Sequence, residues 1–258
     1  MERARLATAC FEENGVTPNM YNQDLAYIHD TGFGSFAKRS APGVLRILRE
    51  AGLRSGLVVD LGCGGGLWAR RLTNAGYRVL GIDISPDMIA LARKRAPRGS
   101  FRAGSFLDVD LPECVAITGL GECFNYTFDR RNNRASLSRF FRRAFQALRP
   151  GGLLIFDVAE PGRARGANRG FWEGPDWACL VEFVHEERRR LLTRKNTTFR
   201  KVGQHYRRTK ETHVQQLYRA SELASDLRKI GFRVRIVRAY GEFRLAKAHA
   251  GVIARQPA

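Results

Sequence analysis

The chain has 258 residues, of which 44% are hydrophobic, and this favours one globular α/β domain with an insertion. No run approaches the length of a transmembrane helix, and the N-terminus lacks the long apolar segment of a secretory signal. The five cysteines are scattered without zinc-ligand spacing, which predicts a reduced, cytoplasmic protein with no metal site.

The formal net charge is +19, and basic residues are concentrated between positions 188 and 238. Such a density attracts nucleic acid or an anionic substrate over long distances. No RNA-binding module is appended, and the basic residues are spread over several predicted elements, which argues against nucleic acid. A bias in genome base composition is the alternative explanation.

Residues 1–40 precede the first predicted strand and have an aromatic character. They are predicted to form short helices that fold across a bound ligand. Tyr27 and His29 are the groups of this segment best equipped for chemistry. Packing of these side chains on the core is the alternative.

Strands and helices then alternate along the chain. Apolar residues at helical spacing predict helices over 41–51, 67–75, 86–94 and 137–148, and apolar runs predict strands over 57–61, 78–82, 100–103, 114–118 and 153–158. This order predicts a parallel sheet that binds its ligand at the carboxyl ends of the strands.

The turn after the first strand carries the chain's most informative motif. It reads Asp60-Leu61-Gly62-Cys63-Gly64-Gly65-Gly66, and Asp83 closes the second strand. Glycines let the backbone turn sharply and approach a ligand, and a carboxylate at the tip of the next strand accepts hydrogen bonds from ribose hydroxyls. The unit therefore predicts an adenosine-containing cofactor. Asp60 would repel a diphosphate but suits the cationic methionine end of S-adenosylmethionine.

At these residues the chain resembles the class I S-adenosylmethionine-dependent methyltransferases. The resemblance continues at Gly104-Ser105-Phe106, at the stretch from Leu148 to Asp157, and at the C-terminal helix, Gly231-Phe232 and closing strand. The stretches 24–33 and 119–126 resemble a bacterial branch of small-molecule methyltransferases. The family implies a Rossmann-like, seven-stranded, mostly parallel sheet with helices on both faces, whose last two strands pair antiparallel at its edge.

The resemblance also implies residue roles. Gly62 and Gly64 would offer backbone near the methionine portion, Asp83 would bind the ribose, and Ser105 and Phe106 would hold the adenine. Many relatives have aspartate where this chain has Ser105. The full predicted set for S-adenosylmethionine, and for its product S-adenosylhomocysteine, is Tyr27, Asp60, Gly62, Cys63, Gly64, Asp83, Ile84, Met88, Gly104, Ser105, Phe106, Gly119 and Leu120.

After residue 161 the pattern changes. The stretch 163–174 is rich in glycine and arginine and is predicted to be a mobile loop, and three strands over 177–218 follow. They predict an antiparallel insertion between strands five and six that builds the substrate pocket. Ser221 is predicted to cap the helix 222–230, and strands over 233–237 and 251–254 complete the sheet.

Methyl transfer depends on positioning a nucleophile in line with the methyl group, so no catalytic motif is obligatory. The segment after strand four lacks the Asn/Asp-Pro-Pro-Tyr motif of enzymes that methylate amino groups of DNA and proteins. On the insertion, Glu211 and His213 share one strand face, where the carboxylate can hold the imidazole as a base, with a solvated face as the alternative. The predicted acceptor-side residues are Glu122, Asn125, Tyr126 and Glu211, and the predicted bases are His29 and His213.

The sequence therefore favours an S-adenosylmethionine-dependent methyltransferase acting on an oxygen or nitrogen atom of a small molecule, as a monomer or homodimer without membrane association. A tRNA or rRNA methyltransferase is the first alternative, and a non-catalytic S-adenosylmethionine-binding protein is the second. The predicted divisions are a lid (1–40), a cofactor-binding core (41–160), the insertion (161–218) and the C-terminal part of the core (219–258).

Overall fold

The computed structural model describes residues 20–166 and 168–257. The first 19 residues of the predicted lid therefore lie outside the described part. The rest of the lid contains α1 (Gln23–Gly32) and the start of α2 (Ser35–Glu50). Helix α2 begins six residues before the predicted start, because its first turns are partly exposed and lack the apolar spacing on which the prediction relied.

The predicted alternation of strands and helices is confirmed. The elements are β1 (Gly56–Leu61), α3 (Leu67–Asn74), β2 (Tyr77–Asp83), α4 (Pro86–Arg95), β3 (Ser100–Ala103), β4 (Cys114–Gly119), α5 (Arg134–Ala147) and β5 (Leu148–Ala159). Ser85 caps α4, since its hydroxyl accepts the Met88 N–H at 3.2 Å.

The insertion contains four antiparallel strands, in the order β6 (Arg169–Gly174), β7 (Trp177–Glu186), β8 (Leu191–Val202) and β9 (His205–Gln216). Strand β6 occupies half of the stretch predicted as a mobile loop, so that prediction was wrong. It pairs with β7 from Arg169–Glu182 to Gly174–Trp177. The glycines and arginines of this edge strand obscure the alternation by which a strand is recognised.

The C-terminal part adds α6 (Ala220–Ile230), β10 (Arg233–Val237), the short pair β11 (Ala239–Tyr240) and β12 (Phe243–Arg244), and β13 (His249–Arg255). The predicted capping of α6 by Ser221 is wrong, because the helix begins two residues before the predicted start and its cap position is Arg219. The free Ala220 N–H is satisfied by Glu160, whose Oε1 accepts it at 3.0 Å.

The central sheet has seven strands in the order β10-β13-β5-β4-β1-β2-β3, and β13 runs antiparallel to both of its neighbours. The predicted fold class is therefore confirmed. One apolar layer packs α5 and α6 on the sheet through residues such as Phe140 and Leu223, and the other packs α2, α3 and α4 through residues such as Leu48 and Ile89. None of the helices within 20–166 and 168–257 has both the length and the apolar character needed to cross a lipid bilayer.

The inner face of the insertion sheet covers helix α1. Asp24 of α1 is buried, and its Oδ2 accepts a hydrogen bond from Nε of Arg207 at 2.6 Å, while Arg200 lies 3.3 Å from its Oδ1. The Arg200 guanidinium also stands 3.9 Å above the ring of Tyr27, whose hydroxyl donates to Asp176 at 2.8 Å. Helix α1 is thus enclosed between the core and the insertion.

Candidate functional site

A cavity lies at the carboxyl ends of β1, β2 and β4, beneath helix α1. All of the predicted cofactor residues line it except Tyr27 and Gly119. Tyr27 lies on the side of α1 that faces the insertion, so its predicted contact with a cofactor is corrected. Gly119 ends β4 behind Cys123, whose Sγ would be 2.9 Å from a Cβ at this position.

The glycines of the turn differ in the space that surrounds them. Gly62, Gly64 and Gly66 have φ angles of 62°, 51° and 77°, in the region that favours glycine. A Cβ at Gly62 would lie 2.8 Å from the Cβ of Cys123, and a Cβ at Gly66 would lie 2.9 Å from the Cα of Ala92. At Gly64 no atom lies within 4 Å of the Cβ position, so this glycine is the one with open space beside it.

Asp83 both stabilises this turn and faces the cavity. Its Oδ2 accepts the Gly64 N–H at 2.8 Å, and its Oδ1 accepts the Ser85 N–H at 2.9 Å. Burial raises the pKa of the carboxyl group, although the two backbone donors oppose that change. Each carboxylate oxygen has further lone pairs, so the group can accept ribose hydroxyls without releasing the turn.

Asp60 is buried at the base of the turn and has one unused oxygen. Its Oδ1 accepts the Thr118 hydroxyl at 2.9 Å, and that hydroxyl accepts the Trp68 indole N–H at 3.1 Å. Its Oδ2 has no hydrogen-bond partner among the described residues. Burial raises the pKa of Asp60 to about 7. An unpaired carboxylate oxygen at this position fits a cationic ligand group such as an ammonium.

A salt bridge fastens the lid to the glycine turn. Nη2 of Arg95 on α4 donates to Oδ2 of Asp30 on α1 at 2.6 Å, and Nη1 donates to the Gly65 carbonyl. A side chain at Gly65 would collide with Asp30. The close approach of α1 to the turn therefore depends on the absence of a Cβ at Gly65.

Tyr21 also lines the cavity, and the sequence indicated it only through the aromatic character of the lid. The N–H groups of Tyr21 and Asn22 both donate to the Glu211 carboxylate at 2.8 Å, and the Tyr21 carbonyl accepts the Ser85 hydroxyl at 2.9 Å. Its ring lies 5.2 Å from that of His29 and 4.8 Å from that of His213. Near the start of the described part of the lid, Tyr21 is thus held by both the insertion and the core.

The predicted pairing of Glu211 with His213 is present, since Oε2 of Glu211 lies 2.9 Å from Nε2 of His213. Neither residue lines the cavity; the rings of Tyr21 and Phe128 do line it, and their centroids lie 4.8 and 4.9 Å from that of the His213 ring. Every residue that lines the cavity belongs to the stretch 21–132, and none comes from the described strands of the insertion. The prediction that the insertion lines the pocket is corrected; its contact is with the lid.

Glu122 is also corrected as a pocket residue. Its Oε1 lies 2.7 Å from Nε of Arg163. Its Oε2 accepts hydrogen bonds from Nη2 of Arg194 and Nε2 of Gln215, both at 2.9 Å. Burial opposes ionisation, but the two arginines outweigh it and hold the pKa of Glu122 below its ordinary value. The carboxylate therefore joins the loop after β4 to the insertion.

Asn125 has a similar structural role in place of the predicted substrate contact. Its Nδ2 donates to the carbonyls of Ala159 and Gln216 at 3.0 and 2.7 Å, and its Oδ1 accepts the Ala159 N–H at 3.0 Å. Tyr126, in contrast, lines the cavity as predicted. Its ring stacks on Phe128 with the centroids 4.7 Å apart.

His29 lines the cavity and contacts the Tyr21 ring edge to face. Burial lowers the pKa of its imidazole to about 4, which differs from the near-neutral value expected for an exposed histidine. The imidazole is therefore neutral at physiological pH. A neutral ring can accept a proton from a ligand, although as a weak base.

Comparisons with known proteins agree with this geometry. A family model described as "Methyltransferase domain" matches residues 58–152. YqeM of Bacillus subtilis (strain 168), a protein named as a methyltransferase, is 26% identical over 74% of this chain and 79% of its own length. The ubiquinone biosynthesis O-methyltransferase of Methylobacterium sp. (strain 4-46) is 34% identical over 38% of this chain and 39% of its own length.

Most of the curated relatives are matched over less than half of their own length, as in the Methylobacterium protein. A solved structure, the sugar N-methyltransferase KedS8 from Streptoalloteichus sp. ATCC 53650, superposes with a TM-score of 0.75 over 98% of each chain. At 17% identity, this likeness establishes the shared fold.

Replacing Asp60 should weaken ligand binding and stabilise the free protein. Because the pKa of Asp60 is raised to about 7 from 3.8, its contribution to stability is fully present below pH 3.8 and is lost as the pH rises through 7. Asp60→Asn is expected to unfold at a higher temperature than the wild type at about pH 8, with a smaller difference at about pH 5. We expect its affinity for S-adenosylhomocysteine at about pH 8 to fall roughly 10-fold or more.

Thermal unfolding and titration calorimetry measure the two effects of Asp60→Asn. Asp110→Asn, which alters an exposed carboxylate, is the matched control and should change neither quantity. Equal affinity of Asp60→Asn and wild type would refute the role of the unpaired oxygen.

Asp83→Asn should weaken binding of S-adenosylhomocysteine by about 1.5–3 kcal/mol, or roughly 10- to 150-fold, because a charged acceptor for two hydroxyls is lost. Calorimetry checks the affinity, and circular dichroism checks that the variant is folded. Asp87→Asn, on the exposed side of α4, serves as the control. A folded Asp83→Asn variant with wild-type affinity would show that the ribose assignment is wrong.

Proposed function

We propose that this chain, which belongs to the class I S-adenosylmethionine-dependent methyltransferases, transfers the methyl group of S-adenosylmethionine to an oxygen or nitrogen atom of a small molecule. The observation that carries the proposal is the cavity enclosed between the glycine turn and α1. It combines a strand-tip carboxylate, a buried carboxylate with an unused oxygen, and a glycine beside open space. These are the features that a cationic nucleoside ligand requires.

The residues present fit this cofactor. Asp83 would hold the ribose hydroxyls, Gly64 would admit close approach of the methionine portion, and the free oxygen of Asp60 would attract the ammonium. When bound, the cofactor supplies a methyl group on a positively charged sulfur, and that carbon is electrophilic. The lid, fastened by Asp30 and Arg95, would exclude water from the reacting groups.

The remaining wall of the cavity would receive the acceptor. Tyr21, His29, Tyr126 and Phe128 form an aromatic surface there, and helix α1 encloses it. An enclosed aromatic space suits a compact molecule, and positioning it in line with the methyl group supplies much of the rate. The neutral imidazole of His29 is placed to accept a proton from a hydroxyl or ammonium group. Relatives named for O- and N-methylation support both acceptor atoms.

RNA methylation is the second candidate, and the outer face of the insertion sheet favours it. Lys201 pairs in register with Tyr206 across β8 and β9, and Arg208 and Lys210 follow on the same face. All four are exposed, and among the described residues none of the three cations is in an ion pair. Exposed cations beside an aromatic ring suit a nucleic-acid strand.

Activity on a small acceptor should not depend on this outer face. The variant combining Lys201→Gln, Arg208→Gln and Lys210→Gln is expected to form S-adenosylhomocysteine from small phenols and amino sugars at the wild-type rate, between about 50 and 200 mM salt. Bulk tRNA is assayed in parallel. A wild-type enzyme that methylates tRNA, with at least a roughly 10-fold loss in the variant, would replace the first candidate by the second. Cofactor binding without product from any acceptor would favour the non-catalytic alternative.

His29→Ala should lower kcat roughly 100-fold while affinity for S-adenosylhomocysteine changes little, because a general base is lost. Since the pKa of His29 is about 4, we expect the wild-type rate to show no loss from this group between about pH 6 and 8. His213→Ala should raise KM more than it lowers kcat, because His213 acts through Glu211 and Tyr21.

His185→Ala, on the insertion and away from the cavity, is the matched control for both histidine variants. Steady-state kinetics with the best acceptor of the panel provide the measurement. Normal turnover of both His29→Ala and His213→Ala at saturating substrate would mean that catalysis here is by positioning alone.

A further inference from the structure

Asn132, in the loop between β4 and α5, has a fixed amide group with an unused oxygen. Its Nδ2 donates to the carbonyls of Phe124 and Tyr126 at 3.0 and 2.7 Å, which sets the orientation of the amide. Its Oδ1 is buried, lacks a hydrogen-bond partner among the described residues, and belongs to a residue that is 5% exposed and lines the cavity. A buried carbonyl oxygen without a donor is unfavourable, so this atom is suited to receive a donor from a ligand.

Ser105, the residue predicted to hold the adenine amino group, already has partners. Its hydroxyl oxygen accepts the Leu107 N–H at 3.2 Å, and the hydroxyl also helps to lower the pKa of the buried carboxylate of Asp129. On this wall of the cavity, Oδ1 of Asn132 is the buried side-chain acceptor that has no hydrogen-bond partner among the described residues.

Arg131 fixes the loop that carries Asn132 against the loop that follows β3. Its Nη2 lies 2.6 Å from Oδ2 of Asp129 and 2.6 Å from Oδ2 of Asp108. Ser105 and Phe106, which line the predicted adenine side, lie in the same loop as Asp108. The two loops together form one wall, and the amide group of Asn132 is fixed in this wall before any ligand enters.

We propose that Oδ1 of Asn132 accepts a hydrogen bond from the exocyclic amino group of the cofactor's adenine, in addition to any contact that Ser105 makes with the same base. The inference rests on the proposed function, because it takes the ligand to be S-adenosylmethionine. An exocyclic amino group offers two N–H donors and no acceptor, which complements an amide oxygen. A base with a carbonyl at the same position would place two acceptors against each other.

A hydroxyl or amine of the methyl acceptor is the other source of an N–H or O–H donor in this cavity. The two sources predict different effects of replacing Asn132. If Asn132 contacts adenine, its replacement changes the ratio of affinities for ligands with different purine bases, even in the absence of any acceptor. If Asn132 contacts the methyl acceptor, its replacement changes the KM for the acceptor and leaves that ratio unchanged.

The test compares binding of S-adenosylhomocysteine and S-inosylhomocysteine, its 6-keto analogue, by calorimetry without acceptor. The wild type is expected to bind the adenine ligand at least roughly 10-fold more tightly. In Asn132→Ala, and in Asn132→Ser measured alongside it, the ratio should fall towards one. Loosening of the loop alone would weaken both ligands equally, so the ratio isolates the base contact.

Asn133→Ala is the matched control. Asn133 is exposed and caps α5, its Oδ1 accepting the Ser136 N–H at 3.1 Å, so its removal perturbs the neighbouring turn and should keep the wild-type ratio. Equal binding of both ligands by the wild type would overturn the inference, as would a ratio that survives in the Asn132 variants or a change confined to KM for the acceptor. Failure of the wild type to bind S-adenosylhomocysteine would instead overturn the proposed function, and this inference with it.

Discussion

The position of helix α1 is the constraint on which the cavity depends, and two acidic side chains set it from opposite sides. Asp30 pairs with Arg95 and thereby reaches the glycine turn, whereas Asp24 pairs with Arg200 and Arg207 of the insertion. Partly buried ion pairs add little net stability compared with apolar packing, but removal of one partner leaves a charge uncompensated. These pairs therefore specify where the lid lies more than they stabilise the fold.

The insertion consequently influences the cavity indirectly, through the segments that line it. Its inner face holds Tyr21 through Glu211, and holds the loop after β4 through Arg194 and Gln215, which both bind Glu122. The residues that touch the cavity belong to the core and the lid, so the chemistry and its support come from different parts of the chain. Lys201, Arg208 and Lys210, on the opposite face of the insertion sheet, are exposed and in no ion pair among the described residues.

The sequence predicted local features well and distant contacts poorly. The strand, turn and second strand that place Asp83 are specified by neighbouring residues, and they form as predicted. Glu122 and Asn125 have the residue types of substrate contacts, but their partners Arg194 and Gln216 are far away in the sequence and satisfy them internally. Only a folded chain reveals such pairings.

The four glycines of the turn have different neighbours. Gly62 accommodates Cys123 of the loop after β4, Gly65 accommodates Asp30 of the lid, and Gly66 accommodates Ala92 of α4, which leaves Gly64 beside open space. A glycine pattern of this kind usually indicates a ligand-binding turn. At three of its four positions here, however, glycine is required by the protein's own tertiary packing. Glycine spacing in such a turn carries information about how distant segments of the chain meet.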